Sequence, residues 1–339
     1  MTRFLLAAVA ALAGSAAVTS AARACNGYED LCNRRYNEVA YATTHNSFAT
    51  GTSIAANQND RSIKQQLTDG IRGLMLDLHS KDEKLTTRPI EMCHTSCFFL
   101  DAGTFLNTLN MIKEWMDNNP NEVVSLLLEN YTRFDPQSIA EVFKQAGLDS
   151  YAWIQPNDGG KADWPTLGEM IDQKKRLVVF SDPLADQSVV PYIMPQFTYA
   201  FETPYEVAAG APFPCTVLRP ANGQANKLMT LNHFNYITTE IVGRTIQAPN
   251  PSGADAANTL DSFHAQLQQC KTNGLVTDTR IPNFIAVDFY DKGAVFQFVA
   301  ELNRVQQKSP RSSAMSPPLS SSASLAAFAG FAVAAVTLF

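Results

Sequence analysis

Eight short apolar runs rich in β-branched residues alternate along the chain with longer amphipathic stretches, and this alternation constrains the fold more than any other feature. The runs are Glu38 to Thr44, Gly73 to Leu78, Ile90 to His94, Glu122 to Asn130, Arg176 to Ser181, Thr198 to Thr203, Lys227 to Asn232 and Asn283 to Tyr290. Between several of them lie helical patterns. Asp101 to Asn118 spaces Phe105, Leu109, Ile112, Trp115 and Met116 at helical intervals before Pro120. Pro136 to Ala146 follows Asp135 as N-cap, and Thr259 to Cys270 carries Leu260, Phe263 and Leu267 on one face. Eight βα-type units predict an α/β fold, an irregular (β/α)8 TIM barrel. The irregularity is expected between Leu78 and Ile90, where no crossover helix fits.

The two ends are expected to lie outside that barrel. Residues 1–24 combine Arg3, an apolar run from Phe4 to Ala17 and a small-residue site before Cys25, the pattern of a secretory signal peptide. Residues 306–324 read as a Ser/Pro linker, and 325–339 as an apolar tail. Together they match a glycosylphosphatidylinositol (GPI) attachment signal with Ser312 as the modified residue. The chain is therefore expected to be exported and held at the outer face of the plasma membrane, with residues 25–305 forming the barrel.

Charge excludes one class of partner. The 339-residue chain has 26 Lys plus Arg against 32 Asp plus Glu, and removing both ends takes away Arg3 and Arg23, leaving 24 basic groups and a net of −8. Nucleic acid needs a basic stripe, and no basic cluster beyond Lys174, Lys175 and Arg176 is present. All six cysteines fall in the expected mature part, an even number in an exported chain. Spacing suggests the pairs Cys25 with Cys32, Cys93 with Cys97, and Cys215 with Cys270. A zinc site at Cys93, His94 and Cys97 is the rival, without a second ligand pair of zinc-finger spacing.

In a barrel of this kind, catalytic groups sit where strands end. The runs end in His45-Asn46, Asp77, His94, Glu129-Asn130, Ser181-Asp182, Glu202, Asn232-His233 and Asp288, so almost every strand delivers a polar group to one rim. Two imidazoles supply a base and an acid. Asn46, Asp77 and Glu129 offer hard oxygen ligands for Ca²⁺ or Mg²⁺. Arg72, Glu202, Asn232, His233 and Asp288 are the expected substrate contacts. His79 and His264 have no assigned role, and the sequon at Asn130 is read as a chance match because a glycan would crowd Glu129.

Taken in order, Thr-Thr-His45-Asn46-Ser, then Gly70-Ile-Arg72-Gly-Leu-Met-Leu-Asp77, Cys-His94 and Leu-Leu-Glu129-Asn130 resemble the motifs of the X-domain family of phosphatidylinositol-specific phospholipases C. The likeness is greatest to its secreted or surface-anchored single-domain members, the PLC-like phosphodiesterases. The resemblance covers residues 33 to 300. It implies that His45 deprotonates the inositol 2-hydroxyl, that a 1,2-cyclic phosphate forms, and that His94 protonates the departing lipid alkoxide. It also implies Ca²⁺ ligation by Asn46, Asp77 and Glu129. Two departures matter: Met75 stands where calcium-dependent members have a fourth ligand, and Asp77 stands where metal-independent members have an Arg. A Ca²⁺ site is therefore expected to be weak or absent. A phospholipase D-like or glycerophosphodiester-type hydrolase on the same fold stays open, as does a catalytically weak surface protein that binds lipid head groups or glycans. The expected partners are a phospholipid or inositol-containing head group and a membrane surface, met by a monomer.

Overall fold

The computed structural model describes residues 23–82, 86, 89–223, 228–241 and 244–307. The expected signal peptide, except its last two residues, and Ser312 with the apolar tail lie outside the described residues. Twelve strands are found among the described residues: β1 Tyr41–Thr44, β2 Gly73–His79, β3 Glu91–His94, β4 Leu100–Thr104, β5 Val124–Glu129, β6 Leu177–Asp182, β7 Ile193–Pro195, β8 Ala200–Glu202, β9 Leu228–Asn232, β10 Tyr236–Ile241, β11 Arg244–Pro249 and β12 Phe284–Val287. The helices are α1 Ile63–Asp69, α2 Phe105–Asn118, α3 Pro136–Ala146, α4 Leu167–Asp172, α5 Gln196–Tyr199, α6 Ala254–Ala257, α7 Leu260–Thr272 and α8 Val295–Leu302.

Eight strands form a curled parallel sheet in the order β7-β6-β5-β2-β1-β12-β9-β8. Among the described residues no ladder joins β7 to β8, so the sheet is open there instead of the closed ring that eight runs suggested. The run ending in His94 is not one of the eight. β3 pairs antiparallel with the end of β2, Leu78 opposite Met92, and then with β4, His94 opposite Leu100. A parallel neighbour needs a crossover of a dozen or more residues, and the connection after His79 is too short for one. β7, three residues long and ending in Pro195, takes the vacant parallel place beside β6.

Strand side chains alternate between faces, and the sheet uses the two faces differently. Leu74, Leu76, Leu126, Leu128, Val179, Met229, Leu231, Ile285 and Val287 face outward into one core with Phe105, Leu109, Ile112, Phe143, Phe263 and Phe298 from α2, α3, α7 and α8. The intervening residues Tyr41, Leu127, Val178, Phe180, Leu228 and Phe284 face inward and pack with Tyr36 and Trp164. These rings plug the concave face toward the strands' N-terminal ends and leave its C-terminal end for polar groups. β1 and β2 approach so closely that a Cβ on Gly73 would lie 2.2 Å from Thr43 Oγ1, which explains the glycine.

Local chemistry sets the helix ends. Asp135 accepts from Ser138 N at the start of α3, and Gly147 ends that helix in the left-handed conformation at φ 70°. All three expected disulfides form, Cys25–Cys32, Cys93–Cys97 and Cys215–Cys270. The second closes the turn between β3 and β4, which carries His94.

Candidate active site

Continuing the inward alternation past the apolar plug gives the site. On β1 and its exit it reaches His45, on β2 Asp77, on β5 Glu129, on β6 Asp182, on β8 Glu202 and on β12 Asp288. Asp77 pairs in register with Glu129, and Glu129 with Asp182, so three carboxylates stand in one row across three strands. A pocket at this rim is lined by His45, Asn46, Met75, Asp77, Glu129, Asp182, Glu202 and Arg219.

His45 is held from one side. Its Nδ1 lies 2.9 Å from Asp288 Oδ1, and a carboxylate oxygen accepts, so Nδ1 is the donor of this pair. Asn57 Nδ2 donates to both oxygens of Asp288 at 3.1 and 3.2 Å. The imidazole stacks on Phe234, centroids 3.8 Å apart and planes within 5°, and meets the Tyr236 ring edge-on. Asp288 is thus an orienting partner of the histidine, which corrects its expected role as a substrate contact: its oxygens are already engaged.

Asn46 turns the chain after β1 with φ 43°, a left-handed conformation that asparagine tolerates. In the orientation that satisfies its amide, the nitrogen donates to Asp77 Oδ1 and Oδ2 at 3.1 and 3.2 Å. The amide oxygen then lies 3.3 Å from His45 Nε2 and 3.2 Å from His94 Nε2. Both imidazoles therefore present Nε2 to one point. His94 reaches it from the β3–β4 ribbon, with Nδ1 donating to the Ala55 carbonyl. Burial pushes the His94 pKa below its ordinary value, the Ala55 carbonyl pulls it back, and His45 adds to the depression.

Asp77 is buried, and burial, reinforced by the charge of Glu129, holds its carboxyl pKa well above the usual range. Two facing carboxylates invite either a proton or a cation. Of the further donors a hard divalent ion would need, however, one is turned away and another is soft. The Asn46 oxygen is turned toward the histidines, and Met75 contributes a thioether to the pocket lining. Among the described residues no group of three His, Cys, Asp or Glu side chains is arranged to hold a metal ion.

Three other expected contacts need correction. Arg72 precedes β2 at the opposite end from Asp77, roughly 16 Å away at the rise of an extended strand. Its guanidinium bonds Glu122 at 2.9 and 2.8 Å and the Leu67 and Ile71 carbonyls, and it stacks on Trp115, a structural role. His233 has outward parity and sits between Phe213 and Phe263, its nitrogens 2.8 Å from Gln266 Oε1 and Ala257 O. Burial lowers its pKa to about 4. Asn232 faces inward, but it is buried and gives its amide to Thr203 O at 2.7 Å.

Glu202 does line the pocket, with its carboxylate bound by Arg219. His79 is buried against Tyr131, and the exposed His264 pairs with Glu301. Asn130 is buried and donates to Phe134 O and Pro183 O, so its amide is not available to a glycan. Asn57, Phe234, Tyr236 and Arg219 belong to the site without having been legible in the sequence. Each comes from a segment without hydrophobic periodicity or from the β10–β11 hairpin.

Comparison with known proteins identifies the family. The family profile described as PI-PLC X 1 matches residues 31–303. A protein of Arthroderma benhamiae named PI-PLC X domain-containing protein 1 is 35% identical over 82% of this chain and 89% of its own length. A second from the same fungus, named an uncharacterized secreted protein, is 36% identical over 84% of this chain, which spans 64% of that relative. Among solved structures, the phosphatidylinositol-specific phospholipase C of Listeria monocytogenes superposes with a TM-score of 0.50 at 17% identity, covering 83% of this chain and 98% of that one, a likeness of fold.

Proposed function

The chain belongs to the PI-PLC X domain family, and on that premise we propose that it is a phospholipase C-type phosphodiesterase acting on a phosphoinositide or related head group. The observation that carries this reading is the convergence of two Nε2 atoms on the Asn46 oxygen, one from a histidine oriented by a carboxylate and the other from a histidine backed by a carbonyl. His45 Nε2 takes the proton of the inositol 2-hydroxyl, whose oxygen attacks phosphorus in line. The bond to the lipid oxygen breaks, and His94 Nε2 delivers a proton to that alkoxide, leaving a 1,2-cyclic phosphate and diacylglycerol. Ca²⁺ held by Asp77 and Glu129 would add charge stabilisation, but the donor set supports it weakly.

Phosphorus NMR of the products from phosphatidylinositol vesicles tests the reading. Inositol 1,2-cyclic phosphate is the expected first product. Release of free choline or ethanolamine from a lipid panel would instead favour the phospholipase D-like or glycerophosphodiester-type reaction. Binding of head groups without turnover would favour a surface protein, the reading to which Met75 points.

We further infer that the pocket meets its lipid at a membrane, after export and with a GPI anchor at Ser312. Ile54, Phe98, Tyr131, Leu184 and Leu218 are exposed on segments that follow or adjoin the strand ends. Phe98 is 88% exposed on the turn closed by Cys93–Cys97, beside the end of β2. A bare aromatic on a cross-linked turn is suited to entering lipid. Phe98→Ser is expected to weaken partitioning onto phosphatidylinositol vesicles about tenfold, as measured by sedimentation. Turnover of a soluble phosphodiester should be unchanged, and unaltered partitioning would remove this surface from the proposal.

A further inference from the structure

Four carboxylates, Asp77, Glu129, Asp182 and Glu202, line the pocket that must admit an anionic phosphodiester. Like charges repel it, and transition-state charge on the nonbridging oxygens needs a donor or cation aimed at it. Among the described residues that line this pocket, Arg219 is the one with a permanent positive charge. It comes from the long connection between β8 and β9. We propose that Arg219 is the group that binds and neutralises the substrate phosphate in this site, where the carboxylate row alone would call for a divalent cation. The proposal rests on the phosphodiesterase reading above.

The geometry prepares the guanidinium for that task. Backbone bonds tie its segment to the end of β8, from Glu202 N to Arg219 O at 2.9 Å and from Leu218 N to Glu202 O at 2.8 Å. The Phe197 and Tyr205 rings lie 4.8 and 5.2 Å from Cζ, so the planar head is held in place before any ligand arrives. Arg219 Nε pairs with the buried Glu202 carboxylate. Nη1 stands 3.9 Å from Asp182 Oδ2, beyond hydrogen-bond distance, so that side of the fork is not consumed by the pair. Such a fork suits two phosphate oxygens at once.

A guanidinium that served only to neutralise Glu202 could be buried with it, yet 38% of this side chain is exposed, at a pocket that His45 also lines. Nothing in the motifs marks it, because its neighbours in sequence carry no chemistry; only the β8 bridge brings it to the rim.

The test is calorimetric binding of three soluble probes: glycerophosphoinositol lacking the 2-hydroxyl, the corresponding free deoxyinositol, and glycerophosphocholine. Each is titrated into the wild type, Arg219→Lys and the double variant Arg219→Gln/Glu202→Gln, with and without EDTA. The ratio of affinities for glycerophosphodeoxyinositol and deoxyinositol isolates the phosphate contribution, and a general loss of structure lowers both affinities and leaves the ratio. That ratio is expected to fall about 10- to 100-fold in the double variant, the worth of hydrogen bonds to a charged group. It should fall less in Arg219→Lys, which retains charge without the fork and keeps the comparison available if the double variant does not fold. EDTA should leave the wild-type ratio unchanged.

An undiminished ratio in both variants would overturn the proposal. So would a wild-type ratio that EDTA collapses and Ca²⁺ restores, or a wild type indifferent to the phosphate. Tighter binding of glycerophosphocholine with the same dependence on Arg219 would support the proposal and sink the inositol reading instead.

Discussion

Replacing His45 by alanine is expected to lower kcat for cyclic phosphate formation by 10²- to 10⁴-fold, the usual worth of a positioned general base. Asp288→Asn is expected to cost nearly as much, although it leaves every ring in place. Asn57 Nδ2 donates toward both oxygens of residue 288, so an amide there keeps its oxygen for Asn57 and turns its nitrogen to His45. A donor facing Nδ1 forces the ring proton onto Nε2, and the nitrogen that should accept the substrate proton no longer can. The analogous carboxylate-to-amide change in a serine protease triad costs about 10⁴-fold in kcat through the wrong tautomer. Rapid-quench measurement of cyclic phosphate, with melting curves showing an intact fold, checks both variants. Asp288→Asn retaining more than about a tenth of wild-type kcat would show that the His45–Asp288 bond does not set the tautomer.

His94→Gln separates acid from base. A lipid alkoxide is a poor leaving group and should suffer a loss of about 10²- to 10⁴-fold, whereas a nitrophenolate departs without a proton and should be slowed by less than about tenfold. His45→Ala should impair both substrates alike. The same residue sets a pH dependence. His94 works as an acid only when doubly protonated, and the Ala55 carbonyl keeps a proton on Nδ1, so the titrating atom is the pocket-facing Nε2. Burial lowers its pKa from 6.5, so the acid form is lost as pH rises through that depressed value. The alkaline limb of kcat/KM for the lipid should therefore fall below pH 6.5, and it should be missing for the nitrophenyl ester. Equal losses for both leaving groups would remove His94 from the role of acid.

Much of this was legible along the chain. Seven of the eight apolar runs became parallel strands because a buried strand has few alternatives for a β-branched run bounded by polar residues. The Ile90–His94 run misled because composition does not distinguish a parallel strand from an antiparallel ribbon. The short connection before it carried the better signal. β7 went unread because three residues ending in Pro195 offer no period. His233 was misplaced although parity already argued against it: neighbours in a strand face opposite ways, and Asn232 and His233 could not both point inward.

The sequence by itself determined seven of the eight parallel strands, the helices α2, α3 and α7, the cysteine pairs that spacing suggested, and the placement of His45, Asp77, Glu129, Glu202 and Asp288 at strand ends, because these depend on local period and short loops. Only the tertiary structure decided which of those groups share a cavity. Asp288 reaches His45 across 243 positions of sequence, and Arg219 reaches the carboxylate row through a bridge to β8. Electrostatic and hydrogen-bond energies fall off with distance in space, and distance along the chain carries almost none of that information.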